Sequence, residues 1–330
     1  MDELILAAFA AETGEHIVKE PRERRFQRFR RTFDVDGYRL SLAERGFRFV
    51  GQNDPEYPPL LRELHDPPPG LFLRGAGRAE LLRAPAVAIV GARACSSYGA
   101  QVARLLGREL ASAGLVVLSG LARGVDAEAH RGALEAGGLT LAVLGCGIDR
   151  DYPAAHAQLA RRMCERGVLA SEYAPSVDPA PWRFPARNRI VAGLAAATVI
   201  VEARERSGAL ITADFAVETG REVFAVPGEI TSSLSAGTNA LLRLGATPLT
   251  SSDDVLDALG IVPVEAAPIQ LGEHATAVLA ELAREPAGAD QLIRDTGLDA
   301  SAVATALAEL ELVRAVTEAE GLYRGVRPAG

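Results

Sequence analysis

A chain of 330 residues, 48% hydrophobic and 24% charged, is long enough for two or three domains and apolar enough for a sizeable core. Nowhere do about 18 apolar residues run unbroken, which excludes a membrane-spanning helix. The three cysteines, Cys95, Cys146 and Cys164, stand far apart without a histidine cluster, which leaves neither a disulfide frame nor a zinc site. The net charge of −8 resolves into three regions: residues 1–84 carry 14 basic and 14 acidic side chains, 85–250 carry 16 and 15, and 251–330 carry 5 and 14. The opening MDELILAAFAAE is acidic and too short in its apolar run for a secretory signal, so a cytoplasmic location is expected. Lys19 is the single lysine; a GC-rich coding sequence accounts for this without any role in phosphate binding.

Residues 1–48 read as a small helical segment. Phe26, Phe29 and Phe33 recur at spacings of three and four, one helical face, with arginines on the others. Such a helix is either packed by its phenylalanines with a solvated basic face or an auxiliary surface for DNA or a partner. The proline-rich NDPEYPPLLRELHDPPPGLFLRG that follows reads as an ordered lead-in strapped onto the next domain, ending in a strand near Leu71 to Leu73.

From Pro85 to about Leu259 apolar runs alternate with helical stretches: 86–90, 115–118, 139–144, 168–171, 198–201 and 222–226, with helices predicted over 100–113 and 127–136. Continuous apolar strands separated by helices specify an α/β, doubly wound, mostly parallel sheet of the extended Rossmann-like kind, here placed at residues 49–260. Every loop that follows a strand then leaves the same carboxyl edge, where such sheets bind ligands. Those loops carry Gly91 and Arg93, then Ser119, Gly120 and Arg123, and finally the Ser207-Gly208 pair that opens a helix containing Thr212. Glycines let backbone N–H groups approach a phosphate, and a helix start attracts an anion. Just ahead of the strand at 198–201 lies a cluster of arginines and aromatics: Trp182, Arg183, Phe184, Arg187, Asn188 and Arg189. Guanidinium forks suit phosphates and ring faces suit bases, so this cluster is expected to hold single-stranded nucleic acid, with Phe184 either stacking on a base or buried in the core.

The residues exclude the commoner ligands of such a sheet. ARACSSYG after the first strand lacks G-x-G-x-x-G, and no P-loop exists. Asp126 and His130, four apart on a helix, are expected to hold the SGLARG loop by local hydrogen bonds, and Glu202 to orient Arg204 and Arg206 as an ion-pair partner.

The motifs VAIVGAR with SSYG, SGLARGVDAEAH, AVLGCGIDRDYP, FPARNRIVAGL, SGALITA and GREVFAVPG, in this order across roughly residues 55–250, closely resemble those of the DNA processing protein A (DprA, or Smf) family. The resemblance implies a protein that protects incoming single-stranded DNA in natural transformation and loads RecA recombinase on it, with single-strand-binding protein as a further partner. It implies a DNA path over Arg93, Ser119, Gly120, Arg123, Arg187 to Arg189, Ser207, Gly208 and Thr212, homodimers formed through the Rossmann-like domain, and no catalytic residue, cofactor, metal or membrane contact. After a linker at 261–270, residues 271–330 read as three helices and a hairpin, a winged-helix-like domain similar to the family's C-terminal one. Its would-be recognition helix, Asp299 to Glu311, contains no lysine or arginine, so this domain is expected to contact protein, or the molecule's own basic face, and not DNA. The enzyme alternative is a lysine-decarboxylase-like nucleoside monophosphate phosphoribohydrolase; SGALITADFAVE lacks that family's double glycine.

Overall fold

The computed structural model describes residues 3–17, 21–262, 271–313, 315–319 and 321–325. Two compact units divide the chain, 1–262 and 263–330. The expected linker at 261–270 falls, from 263 onward, outside the described residues.

The first unit is built on a nine-stranded sheet. Its strands are β1 (Phe47–Gly51), β2 (Gly70–Arg74), β3 (Ala86–Val90), β4 (Val116–Ser119), β5 (Thr140–Val143), β6 (Val168–Ser171), β7 (Ala197–Ile200), β8 (Glu222–Ala225) and β9 (Thr247–Pro248). The order is β1-β2-β6-β5-β4-β3-β7-β8-β9. Strands β3 to β9 pair in parallel, whereas β1 and β2 join antiparallel beside β6. The six apolar runs become β3 to β8 within a residue or two. β1 crosses the expected end of the helical segment at residue 48, because FRFVG alternates too briefly to stand out from the arginines around it.

Helices cover both faces. On one side α5 (Ser97–Ser112) and α6 (Val125–Glu135) pack Leu106, Leu110 and Ala129 against Ile89, Val117 and Val199. α7 (Ala157–Cys164) continues this layer toward β6. On the other, α8 (Arg183–Leu194) and α9 (Gly208–Glu218) cover Ala88, Leu118 and Ile200. α10 (Ala236–Arg243) and α11 (Asp253–Ala258) finish the unit. The short α4 (Pro59–Arg62) carries Leu61 into the core beside Ile190 and Leu194, and Tyr57 Oη donates to the Pro68 carbonyl at 2.8 Å, so the proline-rich lead-in is strapped down.

The N-terminal helices belong to the same unit. α1 (Glu3–Thr13) and α3 (Val35–Glu44) send Leu4, Ala7 and Leu42 into a core shared with Phe72 and Leu144. α2 (Arg24–Thr32) is held by its phenylalanines, with the Phe26 ring 5.1 Å from that of Phe9 and Phe29 stacked on Phe33 at 5.0 Å.

In the second unit α12 (Glu273–Leu282), α13 (Ala289–Thr296) and α14 (Ala300–Leu312) surround Val278, Leu292 and Leu307. The hairpin of β10 (Val316–Ala319) and β11 (Leu322–Gly325) follows, completing a winged-helix arrangement. Glu309 on α14 accepts from the Gly272 N–H at 2.7 Å, so one of its carboxylates caps the domain's first helix. No helix among the described residues is long and apolar enough to cross a membrane.

Candidate nucleic-acid interface

Strand order reverses between β4 and β7 on either side of β3, which opens a crevice at the carboxyl edge of the sheet. Because α8 precedes β7 and runs back across the sheet, its first residues also reach this edge. Pro185 is tolerated there, in the first turn, where no intrahelical donor is lost. The crevice is a cavity of about 220 Å3, lined by Gly91 and Arg93 after β3, Gly120 and Asp126 after β4, Phe184, Arg187 and Asn188 on α8, and Ser207, Gly208 and Thr212 at the start of α9. That volume lies below the roughly 300–1,000 Å3 of clefts for drug-sized ligands.

Eight of the residues expected from sequence therefore meet at one crevice, with different parts to play. Arg93 is exposed, its guanidinium 5.3 Å from the centre of the half-buried Phe184 ring. Tyr152, from the loop after β5, lies tilted against Phe184 with ring centres 5.4 Å apart and is itself 44% exposed. Its role was not anticipated, although an aromatic in a rim loop is a readable signal. Asn188 Nδ2 donates to the Gly208 carbonyl at 3.0 Å, fixing the start of α9. Ser207 Oγ accepts from the Ala209 N–H at 3.3 Å as the helix cap, and a Cβ added at Gly208 would meet open space. Thr212 is buried in the wall.

Arg187 does not face solvent. It is 4% exposed, and its Nη1 donates to the carbonyls of Gly120, at 2.9 Å, and Val143. Gly120 must be glycine for this, since a Cβ would lie 2.3 Å from Arg187 Nη2. The Gly120 and Ala122 N–H groups donate to Asp126 at 3.1 and 3.2 Å, so Asp126 does hold the SGLARG loop. Burial pushes the Asp126 carboxyl above its ordinary range, opposed by Arg187 and those two N–H groups; burial likewise pulls Arg187 down, opposed by Asp126. Leu121, within the clamped loop, is held at φ 57°, a left-handed conformation uncommon for leucine.

Four expectations are corrected. Arg189 is 2% exposed and turned inward: both its terminal nitrogens reach Glu172, at 2.8 and 3.2 Å, and its Nε reaches Asp66 at 3.0 Å. It ties α8 to the proline-rich lead-in and to the loop after β6 and is buried away from any exposed phosphate path. Ser119 is buried, its Oγ donating to the Ile89 carbonyl at 2.7 Å between adjacent strands. Glu202 pairs with no arginine among the described residues; its carboxylate accepts from the backbone and the hydroxyl of Ser96 and so anchors the start of α5. His130 also lies elsewhere than expected, its Nδ1 2.6 Å from Thr140 Oγ1 rather than on the loop, and burial holds its pKa down at about 3.

The remaining expected residues flank the crevice without lining it. Arg123 is exposed in the loop after β4. Trp182 is 43% exposed, and the Arg183 guanidinium lies 5.0 and 5.1 Å from the centres of the Trp182 and Tyr173 rings, which meet edge to face. These stacks turn a charged side chain into a rigid part of the rim.

Residues 48–260 match the family description "DNA recombination-mediator protein A", and residues 262–321 match "DprA winged helix domain". The chain is 43% identical over 226 residues to DNA processing protein DprA of Streptococcus pneumoniae, covering 68% of this chain and 79% of that one. It is 38% identical over 285 residues to protein Smf of Escherichia coli, covering 83% and 76%. Among solved structures, DNA processing protein A from Streptococcus pneumoniae superposes with a TM-score of 0.66 at 38% identity, over 78% of this chain and 92% of that one. The Helicobacter pylori protein, whose structure was described for its single-stranded DNA binding mode, superposes with a TM-score of 0.58 at 31% identity, over 64% and 95%. Two matched domains in the order of this family, on a sheet whose carboxyl edge gathers the family's motif residues, place the chain in the DNA recombination-mediator protein A family.

Proposed function

We propose that this protein binds single-stranded DNA without reading its sequence, along the carboxyl edge of the sheet, and passes the coated strand to RecA recombinase in natural transformation. The observation that carries the binding step is the convergence of Arg93, Phe184, the Gly120 loop and the N-terminus of α9 on one crevice. A phosphate there meets a guanidinium and the positive end of an eleven-residue helix. A base meets the face of Phe184 or Tyr152, whose π-surfaces accept any base. Arg123, Arg183 and Trp182 extend the track past the crevice, and two copies joined through the Rossmann-like domain lengthen it further. Arg187 and Asp126 act from beneath by holding the loops in place. The domain at 271–330, with no cation on α14, serves a protein contact instead of DNA. The protein is a binder and not an enzyme in this reading, and single-strand-binding protein is a partner it displaces or joins.

Fluorescence anisotropy with labelled oligothymidylate tests the proposal. Arg93→Ala combined with Phe184→Ala is expected to weaken binding at least tenfold and to flatten its salt dependence by about one phosphate contact, roughly 0.7 in slope for a single strand. Unchanged affinity in a folded double variant would reject the crevice as the site. Incubation with nucleoside monophosphates is expected to release no free base; turnover would favour the phosphoribohydrolase reading. RecA filament formation on coated single strands, followed with and without the protein, tests the hand-off.

A further inference from the structure

α2 is a helix whose charge its own fold does not explain. Its nine residues, RRFQRFRRT, hold five arginines and no acid. Arg24 and Arg25 stand in the first turn, where the helix dipole repels cations, and the side chain of the N-cap residue, Glu23, makes no capping hydrogen bond. Arg24 and Arg28 are four apart, and Arg28 and Arg31 three apart, so like charges face one another along a stripe. All three are exposed and have no carboxylate partner among the described residues. Two other helical arginines of the unit are paired, Arg104 with Glu128 and Glu135 and Arg131 with Glu128, and on α2 itself Arg25 lies 3.8 Å from Glu12. A stripe kept unpaired on a helix that it destabilises is matched to a negative charge outside the chain.

The apolar face of α2 says which polyanion. Phe26 is fully buried, and Phe29 and Phe33 are engaged with Phe9, with Tyr38 and with each other, so the helix offers no ring for a base to stack on and no apolar face to enter a bilayer. What remains exposed is guanidinium alone. Arg24 to Arg31 spans about 10 Å of helix, so the three guanidinium groups present one continuous cationic stripe. Duplex DNA carries the denser charge, about one per 1.7 Å of axis, and needs no stacking platform.

We propose that the Arg24, Arg28 and Arg31 stripe of α2 binds the phosphate backbone of double-stranded DNA, apart from the single-strand crevice. At the end of α1, His16 lies 6.2 Å, ring centre to ring centre, from Trp182 at the flank of that crevice. The N-terminal segment thus reaches the single-strand track before α2 begins. Such an arrangement suits a junction, with the single strand in the crevice and the adjoining duplex on the stripe.

The test compares the full chain with its Arg24→Gln, Arg28→Gln, Arg31→Gln variant by anisotropy on a blunt duplex and on oligothymidylate. The variant is expected to bind duplex at least tenfold more weakly at low salt, with a salt slope reduced by about 2 to 3, and to bind oligothymidylate as before. Its melting temperature is expected to hold or rise, because like charges have been removed. The Arg93→Ala, Phe184→Ala variant is expected to show the reverse, weak on single strands and unchanged on duplex, so failure of one site is distinguishable from failure of the other. Equal duplex binding by wild type and the stripe variant, or none by wild type, would overturn the proposal. So would a fall in melting temperature, which would assign the arginines to the fold, or a loss confined to vesicles containing phosphatidylglycerol with duplex binding intact, which would assign them to a membrane surface.

Discussion

Arg187 and Arg189 are two residues apart on α8, and both are buried, yet they do different work. Arg187 uses the carbonyls of Gly120, in the loop after β4, and of Val143, the last residue of β5, whereas Arg189 neutralises carboxylates from two distant segments. Removing Arg189 leaves Glu172, itself buried, without a counter-charge, so Arg189→Met is expected to cost about 3–5 kcal/mol of stability in urea unfolding. Adding Glu172→Leu is expected to recover most of that loss, which a phosphate-binding role for Arg189 would not produce. His130 supplies a second prediction. Its folded pKa, about 3, lies below the ordinary 6.5, so between those values the unfolded chain binds a proton that the folded chain does not. Stability contributed by its neutral, buried form is therefore present above pH 6.5 and lost as pH falls toward 3, by about 1.4 kcal/mol per pH unit. His130→Gln is expected to remove that share of the pH dependence, read as urea midpoints compared across the window.

At the scale of elements, the close crossing of α5 and α6 positions the loop that Asp126 holds. Gly107 and Gly132 make it possible: a Cβ at Gly107 would lie 2.2 Å from the Ala129 carbonyl oxygen, and one at Gly132 would lie 2.0 Å from that of Arg104. Gly107→Ala is expected to destabilise the fold by about 1–3 kcal/mol through forced separation of the two helices, checked by thermal unfolding. The strands β3 to β8 were readable because parallel strands buried on both faces are continuous apolar runs. The role of α8 was not, since its polar residues recur at spacings that suggest an exposed cluster. Arg187 and Arg189 are buried because the ends of β4, β5 and β6 and the lead-in close over them, partners 17 to 123 residues away in sequence.

For the whole molecule, the two units each have their own core, which makes the first a self-sufficient fold. A chain ending at residue 262 is expected to unfold cooperatively and to keep oligothymidylate affinity within about twofold of the full chain; a larger loss would place DNA on the acidic winged-helix unit. The charge division along the sequence points the same way, since the 14 acidic residues against 5 basic after residue 250 disfavour a phosphate groove there.

Periodicity, glycine placement and the run of motifs were enough to specify a parallel sheet, the edge at which ligands gather and the family, because these follow from local spacing and from strand-to-helix connectivity. Which arginines meet solvent was settled by packing. A guanidinium is the same fork whether it faces phosphate or a buried carboxylate, and only the segments folded around Arg93, Arg187 and Arg189 distinguish the one that is exposed from the two that are enclosed.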